Sequence, residues 1–302
     1  MIIRVVDQYG VPVIGYPVQF NVVKGGGTIA FGDHQTFLYG ISGASMNLGP
    51  AGEQIFTATL SGFAPVVFDG YARVLPAISA NGVVNAAPFQ AGQGLAPGSY
   101  ISIWGTALSD ATAAATTPSL PVSLASISVS FDGGGLSLPA HIHFVSPGQI
   151  NVQIPWEFQG QSSVQMKVTA GPWLWSRVYT VPLATYSPGV FAITDQNGAV
   201  VNQGNPAKRG QRILIYANGL GVVDQQQVSG EPASLTQLAY TRVPPSVTIG
   251  GSTAQVEFSG LAPGWVGLYQ MNVVVPPGAP TGAQQLKISI GGIDLLVNLP
   301  VQ

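Results

Sequence analysis

The chain has 302 residues, of which 46% are hydrophobic and only 7% charged, where roughly 25% charged is usual. Its ten basic and twelve acidic side chains give a net charge of −2 without any run of like charge, so phosphate-driven binding of nucleic acid has no electrostatic basis. Cysteine is absent, which excludes disulfides and thiolate metal sites, and no apolar run approaches the roughly 18 residues that a membrane span needs.

Turn-forming residues are scattered along the whole chain. The 39 glycines and 24 prolines separate short apolar runs, and no amphipathic helical pattern with caps at both ends stands out. This distribution is typical of many short strands joined by turns. The sequence therefore predicts an all-β fold.

The N-terminal segment, residues 1–76, begins as strand, turn and strand, with IIRVV, DQYG and YPVQFNVV followed by a Gly-rich turn. It resembles the bacterial immunoglobulin-like repeats of invasin- and intimin-type surface proteins, in which a D-x-x-G-x-P turn precedes V-x-F and a Gly-rich turn. The matching positions are Asp7, Gly10, Pro12, Val18, Phe20 and Gly25 to Gly27. The resemblance implies a partial immunoglobulin-like domain that lacks one or two of the first strands of that family.

The first ten residues, MIIRVVDQYG, show neither the apolar region nor the cleavage site of a signal peptide. Because the chain opens directly in a predicted strand, we expect it to be a fragment or the mature portion of a longer polypeptide. Neighbouring domains of that parent protein are then expected partners.

An internal duplication follows the first segment. Five motifs recur in the same order: NGVVN as NGAVVN, GSYISIWGTAL as GQRILIYANGL, SVSFDGG as SVTIGG, QINVQIP as QMNVVVP, and MKVTAG as LKISIG. Their first residues pair Asn81 with Asn197, Gly98 with Gly210, Ser128 with Ser246, Gln149 with Gln270 and Met166 with Leu286. The repeat predicts two modules, residues 77–194 and 195–302.

The order of motifs in each module is similar to the IPT/TIG immunoglobulin-like fold. Residues 80–302 also resemble an uncharacterised C-terminal domain of large secreted proteins from acidobacteria, through the phrases NAAPFQAGQGLAPGSYISIWG, VSPGQINVQIPWE, NPAKRGQRILIYANGLG and GLAPGWVGLYQMNVVVP. The resemblance implies tandem immunoglobulin-like β-sandwiches, the last two an internal duplication, at an extracellular or cell-surface location. It implies no particular activity.

Standard catalytic signatures are missing from the sequence. There is no G-x-S-x-G elbow, phosphate-binding loop or H-E-x-x-H motif, and GQGLAPG (Gly92 to Gly98) has the spacing of a turn and not of a dinucleotide loop. No cofactor is therefore expected. In PAHIHF, His141 and His143 would project from one face of a strand about 6–7 Å apart. They could hold Zn²⁺ or Cu²⁺ with a third ligand, or form part of an ordinary surface strand.

Glu157 is the acidic residue of greatest interest because it follows Trp156 at the end of a strand. Glycoside hydrolysis needs a second carboxylate roughly 5–10 Å away, which the sequence does not place. A polysaccharide- or ester-active hydrolase with its site at a domain junction is the alternative function, with Glu157, His141 and His143 as weak catalytic candidates beside Trp156.

Uncharged amides alternate with aliphatic residues in QINVQI, where Gln149, Asn151 and Gln153 share one parity. The echo in the second module has Gln270 and Asn272. The amides can anchor loop backbone or the seam between modules, or they can bind polysaccharide hydroxyl groups. Catalysis is disfavoured because amides do not transfer protons at neutral pH. The occurrence of the pattern in both internal copies favours a structural role.

Tryptophan placement offers a second binding hypothesis. In GPWLWSR, Trp173 and Trp175 lie on one face of a strand and Leu174 on the other. The indoles either face outward, as a strip that stacks on sugars or docks a protein, or form part of the core. Trp104 is predicted to be a core residue, and the position of Trp265 is open.

The sequence thus favours a structural, adhesive or carbohydrate-associated module without its own catalysis. Its expected partners are polysaccharides or cell-envelope components. The predicted ligand-binding residues are Trp173, Trp175, Trp156, Gln153, Gln149 and Asn151.

Overall fold

The computed structural model describes residues 1–87 and 94–302, which form two compact units, Met1–Val74 and Leu75–Gln302. Within the described residues there is no α-helix, and the only helical segments are the short 3-10 turns Leu38–Gly40 and Trp156–Phe158. The predicted all-β fold of tandem immunoglobulin-like sandwiches is confirmed. Gly92 and Gln93 of the predicted GQGLAPG turn lie outside the described residues. No helix in the described part of the chain is long and apolar enough to cross a membrane.

The first unit, described throughout, is a small sandwich of two antiparallel sheets. Its strands are β1 (Ile2–Arg4), β2 (Gln19–Lys24), β3 (Thr28–Gly32), β4 (Ile41–Asn47), β5 (Gly52–Thr59) and β6 (Val66–Ala72). The sheet orders are β1-β4-β3 and β2-β5-β6. Ile3, Val18 and Ala58 form the buried centre between them. The predicted turn is built on Asp7, whose Oδ1 accepts hydrogen bonds from the N–H groups of Tyr9 and Val11, both at 2.9 Å.

The second unit begins with a two-layer sandwich, the first sandwich. Its described strands are β7 (Ala77–Asn85), β8 (Tyr100–Thr106), β9 (Ala113–Ala114), β10 (Ile127–Gly133), β11 (Leu136–Pro139), β12 (His141–Val145), β13 (Gln149–Gln153), β14 (Ser163–Ala170), β15 (Leu174–Trp175) and β16 (Tyr179–Pro182). One layer has the order β7-β8-β13-β12-β9, and the other has β11-β10-β14 with β15 and β16 both paired to β14. Alternate residues of both layers, such as Ile150 and Phe131, are fully buried between them.

The second sandwich completes this unit. Its strands are β17 (Gly189–Asp195), β18 (Arg212–Asn218), β19 (Ser246–Ile249), β20 (Ser252–Leu261), β21 (Tyr269–Val274), β22 (Gly282–Ile290) and β23 (Ile293–Val301). They follow the order β17-β18-β21-β20-β19-β22-β23 in the described chain. The long strand β20 pairs with β19 at its start and with β21 further on, so it passes from one layer to the other. In the first sandwich two shorter strands, β11 and β12, take the place of β20, and the buried Ala140 separates them.

The ladders of the two sandwiches share the register that the sequence repeat predicts. Ile103 lies opposite Ile150 in the first sandwich, and Ile215 lies opposite Met271 in the second. In the other layer Ser130 lies opposite Lys167, and Thr248 opposite Lys287. Four of the five motif pairs therefore occupy equivalent strands.

The pairing of Asn81 with Asn197 is wrong. Val83 and Ile193 occupy the equivalent positions on the ladders to β8 and β18. Asn81 lies in an irregular stretch of β7, whereas Asn197 lies in the turn after β17. The whole of β17 pairs with β18, so this strand belongs to the second sandwich, although the predicted border after residue 194 assigns most of it to the first.

Candidate functional site

The side chain of Gln153 lies at the junction of the two sandwiches of the second unit. It is 1% exposed. Its Nε2 donates to the carbonyl oxygen of Gly98 at 3.0 Å, and its Oε1 accepts from the N–H of Gly230 at 2.7 Å. The equivalent residue in the second sandwich is Val274, so this amide is specific to the junction. A buried side chain with these partners has a structural role, which replaces the predicted ligand contact.

Trp156 crosses the same junction. The residue follows a strand of the first sandwich, yet its side chain is 2% exposed and packs in the core of the second sandwich. The backbone N–H of Trp156 donates to the Oγ of Ser229 at 2.9 Å, and that hydroxyl donates to the Oε2 of Glu157 at 2.7 Å. A buried indole cannot stack on a ligand at the surface, so the predicted ligand-binding role of Trp156 is corrected to a core role.

A buried amide pair reinforces the junction. The Nδ2 group of Asn218 donates to the Oδ1 of Asn85 and to the carbonyl oxygen of Tyr100, both at 2.8 Å. The N–H of Tyr100 donates back to the Oδ1 of Asn218 at 3.0 Å. Asn85 in turn donates to the carbonyl oxygen of Ser187 at 2.6 Å. The amides that join the modules are thus Asn85 on β7 and Asn218 on β18, together with Gln153 of the motif that the sequence suggested.

The acidic residues at the junction bind serine hydroxyl groups. Glu157 is exposed and accepts from Ser229, and Glu231 accepts from the Oγ of Ser119 at 2.7 Å. Each of these hydrogen bonds joins the first sandwich to the second. The geometry therefore gives both carboxylates a role in holding the two sandwiches together.

The two predicted histidines lie in different surroundings. The Nδ1 of His141 donates to the carbonyl oxygen of Leu120 at 3.1 Å. His143 is only partly exposed, with its ring edge against Tyr100 at a centroid distance of 5.8 Å, and its partial burial there lowers its pKa below the ordinary value. Among the described residues no group of three or more His, Cys, Asp or Glu side chains could hold a metal ion. The predicted pair therefore has no third ligand in that part of the chain.

A cavity of about 570 Å³ lies between the outer sheet face of the first sandwich and the second sandwich; we name it the aromatic cleft. From the first sandwich it is lined by Tyr100, Ser102, His143 and Asn151. From the second it is lined by Phe191, Tyr216, Trp265 and Leu268. Two alanines complete the lining, and none of these described residues carries a formal charge at neutral pH, since the pKa of His143 is lowered.

Hydrogen bonds orient the amide in the aromatic cleft. The Oδ1 of Asn151 accepts from the Oγ of Ser102 and from the Nε2 of Gln149, both at 2.9 Å. These bonds fix the amide plane, because both donors lie on the oxygen side. Within the described part of the protein the NH₂ group of Asn151 donates to no other residue, so two donors face the cavity.

Trp265 is the most exposed of the Trp, Tyr and Phe residues of the aromatic cleft, with 60% of the residue accessible. Its backbone is fixed on both sides: its N–H donates to the carbonyl oxygen of Ala262 at 3.1 Å, and its own carbonyl oxygen accepts from Ala233 at 2.9 Å. An exposed indole on an anchored backbone is a flat apolar surface for a ligand.

Most residues of this site were not predicted from the sequence. Tyr100, Phe191 and Tyr216 were not among its candidates. One usable signal was the alternation in YISIW, which places Tyr100 and Ser102 on the same face as the amides. Trp104 shares that face, lies opposite Gln149 and is 39% exposed, so its predicted core position is wrong.

The Trp173–Trp175 pair lies outside the aromatic cleft, on strand β15 and the turn before it. The two residues are 79% and 53% exposed, while Leu174 packs against the core of the first sandwich. Of the two arrangements open from the sequence, the structure has the one with both indoles outward.

No family model and no curated protein matches the chain. Among solved structures it is similar to the Bacteroides ovatus mixed-linkage glucan utilization locus protein SGBP-B in complex with a mixed-linkage heptasaccharide, at 12% identity over 95% of this chain and 60% of that chain, with a TM-score of 0.32. It is also similar to the I9–I11 tandem of titin, at 10% identity over 95% and 88% of the two chains and a TM-score of 0.23. Domains 4–9 of the surface layer protein SbsC are similar at 14% identity over 99% of this chain and 41% of that chain, with a TM-score of 0.21. The chain spans less than two thirds of the length of SGBP-B. At these identities and TM-scores the likeness carries no conclusion about the function of this chain.

Proposed function

We propose that the second unit is a non-catalytic binding module for neutral polysaccharide, and that the aromatic cleft is its binding site. The observation that carries the proposal is an uncharged cavity of about 570 Å³ with exposed rings on one side and the oriented amide of Asn151 on the other. The sequence resemblance to secreted bacterial proteins supports placing the module in an extracellular or cell-surface protein.

The chemistry of sugars matches this lining. A pyranose ring has apolar C–H faces that pack on aromatic rings such as Trp265 and Phe191. Its hydroxyl groups donate and accept hydrogen bonds, and an amide can do both. The absence of charge among the described lining residues favours neutral over acidic sugars. A mostly apolar pocket with a few placed polar groups is the usual form of a small-molecule site.

The hydrolase alternative has weaker geometric support. Of its four candidate residues, Trp156 is buried in the second core, and Glu157 and His141 bond groups at the junction. His143 lines the aromatic cleft, where its ring faces a tyrosine and not a carboxylate. These placements favour binding without turnover.

Affinity electrophoresis against a panel of neutral polysaccharides tests the proposal. At least one polysaccharide should retard the protein, and Trp265→Ala should weaken retention by about tenfold, which corresponds to about 1.4 kcal/mol. The double variant Trp173→Ala/Trp175→Ala removes two exposed indoles outside the cleft and should bind like the wild type. If the double variant loses retention and Trp265→Ala does not, the site lies on the β15 edge and the cleft proposal is wrong.

The same polysaccharides, together with ester substrates, test the absence of catalysis. We expect no turnover by the wild type. Turnover that is lost in Glu157→Gln or His143→Ala would establish the hydrolase alternative. If no polysaccharide is retained and none is cleaved, the binding proposal fails and a purely structural role stands.

A further inference from the structure

A second cavity, of about 650 Å³, lies on the outer sheet face of the second sandwich. Its lining includes Arg212, Tyr240, Glu257, Phe258, Gln270 and Asn272. The last two are the copies of Gln149 and Asn151 in the sequence repeat. The aromatic cleft is lined by Asn151 and the second cavity by its copy Asn272, so each cavity contains the asparagine of one amide pair.

The two amide pairs have the same hydrogen bond. The Nε2 of Gln270 donates to the Oδ1 of Asn272 at 2.8 Å, as that of Gln149 does to Asn151 at 2.9 Å. In both cases the asparagine oxygen is occupied. Asn272, like Asn151, donates from its NH₂ group to no other residue in the described chain. Both cavities thus contain an asparagine NH₂ group whose two N–H donors face the ligand space.

Residues that line the two cavities are neighbours on the same sheet. Tyr216 lines the aromatic cleft and lies directly opposite Gln270, which lines the second cavity. Side chains opposite each other on an antiparallel ladder have Cβ atoms about 4.5–5.5 Å apart. The loop between β20 and β21 borders both spaces, with Pro263 in the second cavity and Trp265 in the cleft.

The second cavity also has an aromatic wall and no net charge. Tyr240 is exposed and meets Phe258 edge to face, with ring centroids 5.3 Å apart. The Nε of Arg212 lies 2.5 Å from the Oε2 of Glu257, so the two charges in the lining are paired. The second cavity therefore has aromatic rings and amides, as the aromatic cleft does, and its one ion pair leaves it without net charge.

We infer that the aromatic cleft and the second cavity are two halves of one elongated site for a linear neutral polysaccharide. The inference rests on the proposed function, since it extends the same ligand beyond the cleft. A polysaccharide repeats the same hydroxyl groups from one sugar unit to the next. The duplicated fold repeats the asparagine NH₂ donors that would bind those hydroxyl groups. Binding in the first half holds the polymer near the second half, which raises affinity through effective concentration without a new kind of contact.

Matched variants separate the two halves. Asn151→Asp and Asn272→Asp are the same near-isosteric change at equivalent positions, and each replaces the NH₂ donors by an acceptor oxygen and adds one negative charge. Calorimetry with a length series of oligosaccharides, cut from the polysaccharide that the wild type retains, gives the affinity of each variant. Tyr240→Ala is a second variant for the outer half, and unfolding midpoints establish that each variant is folded.

The wild type should bind longer oligosaccharides at least tenfold more tightly than the shortest one that binds. Asn151→Asp should weaken binding at every length. Asn272→Asp and Tyr240→Ala should weaken only the longer ligands and remove the length dependence. If affinity is the same at every length and both outer variants bind like the wild type, the two-cavity inference is wrong while the cleft remains a site. If no oligosaccharide of any length binds, the proposed function itself fails.

Discussion

The Oε1 of Gln153 accepts a hydrogen bond from the N–H of Gly230 at 2.7 Å, across the junction of the two sandwiches. The same side chain donates to the carbonyl oxygen of Gly98. One buried amide therefore satisfies a donor and an acceptor on two backbone segments that have no partner in a β-ladder. The aromatic cleft owes its shape to this junction, since its two walls belong to different sandwiches.

Replacing Gln153 with valine, the residue at the equivalent position of the second sandwich, should lower the free energy of unfolding by about 2 kcal/mol or more. The reason is that a buried N–H and a buried carbonyl lose their partner, at about 1–3 kcal/mol each. Urea unfolding followed by tryptophan fluorescence measures the change. Gln149→Val is the control, because that amide is half-buried and bonds Asn151 at the surface. Equal losses in the two variants would contradict a special role for Gln153.

Trp156→Ala should destabilise the second unit by about 3–5 kcal/mol, as expected when a large aromatic side chain is removed from a core. Thermal unfolding by calorimetry gives the value. Trp265→Ala removes an exposed indole and should change stability by less than about 0.5 kcal/mol. A small effect of Trp156→Ala would mean that the indole does not fill the second core in solution.

Gly230→Ala and Gly210→Ala form a matched pair. Both glycines have a positive φ, +81° and +77°, so both variants have a similar backbone cost. A Cβ at Gly230 would lie 1.9 Å from the Nδ1 of His141, whereas nothing lies within 4 Å of one at Gly210. We expect Gly230→Ala to lose about 1–3 kcal/mol more in urea unfolding, from overpacking at the junction. Indistinguishable losses would contradict this close contact.

Acidification should destabilise the fold through His143. Burial lowers the pKa of His143 in the folded state, so the unfolded chain takes up this proton first as the pH falls. The destabilisation begins as the pH drops through the ordinary value of 6.5 and is complete once folded His143 is protonated too. In His143→Gln this contribution should be missing from unfolding free energies measured between pH 8 and pH 5. If the unfolding free energy of the wild type and that of His143→Gln fall in parallel with pH, His143 does not cause the destabilisation.

The ladder register of the repeat could be predicted from sequence. Strand residues alternate between two faces, so the matching of Ile103 with Ile215 and of Ile150 with Met271 aligns the buried faces and the amide faces together. The match of Asn81 with Asn197 failed because asparagine–glycine pairs occur in turns and irregular strands alike, without a buried neighbour to fix their register.

The position of Trp156 and the aromatic cleft could not be predicted in the same way. Trp156 lies in a core formed by another module, and no local pattern specifies which module an indole enters. The cleft joins Tyr100 and Asn151 to Phe191 and Trp265, and the approach of these two groups depends on the buried contacts of the junction. Of the first wall, Asn151 and His143 were among the predicted site residues, whereas the second wall depends on the packing of the two sandwiches.

The crossing of Trp156 into the neighbouring core also limits how this chain can be divided or recombined. Although the repeats share strand order and register, the first contributes the Trp156 side chain to the core of the second. One repeat therefore cannot be replaced by a copy of the other. A shorter piece would carry either an uncovered indole or a core with a missing ring. The smallest transplantable part of this region is the whole of Leu75–Gln302.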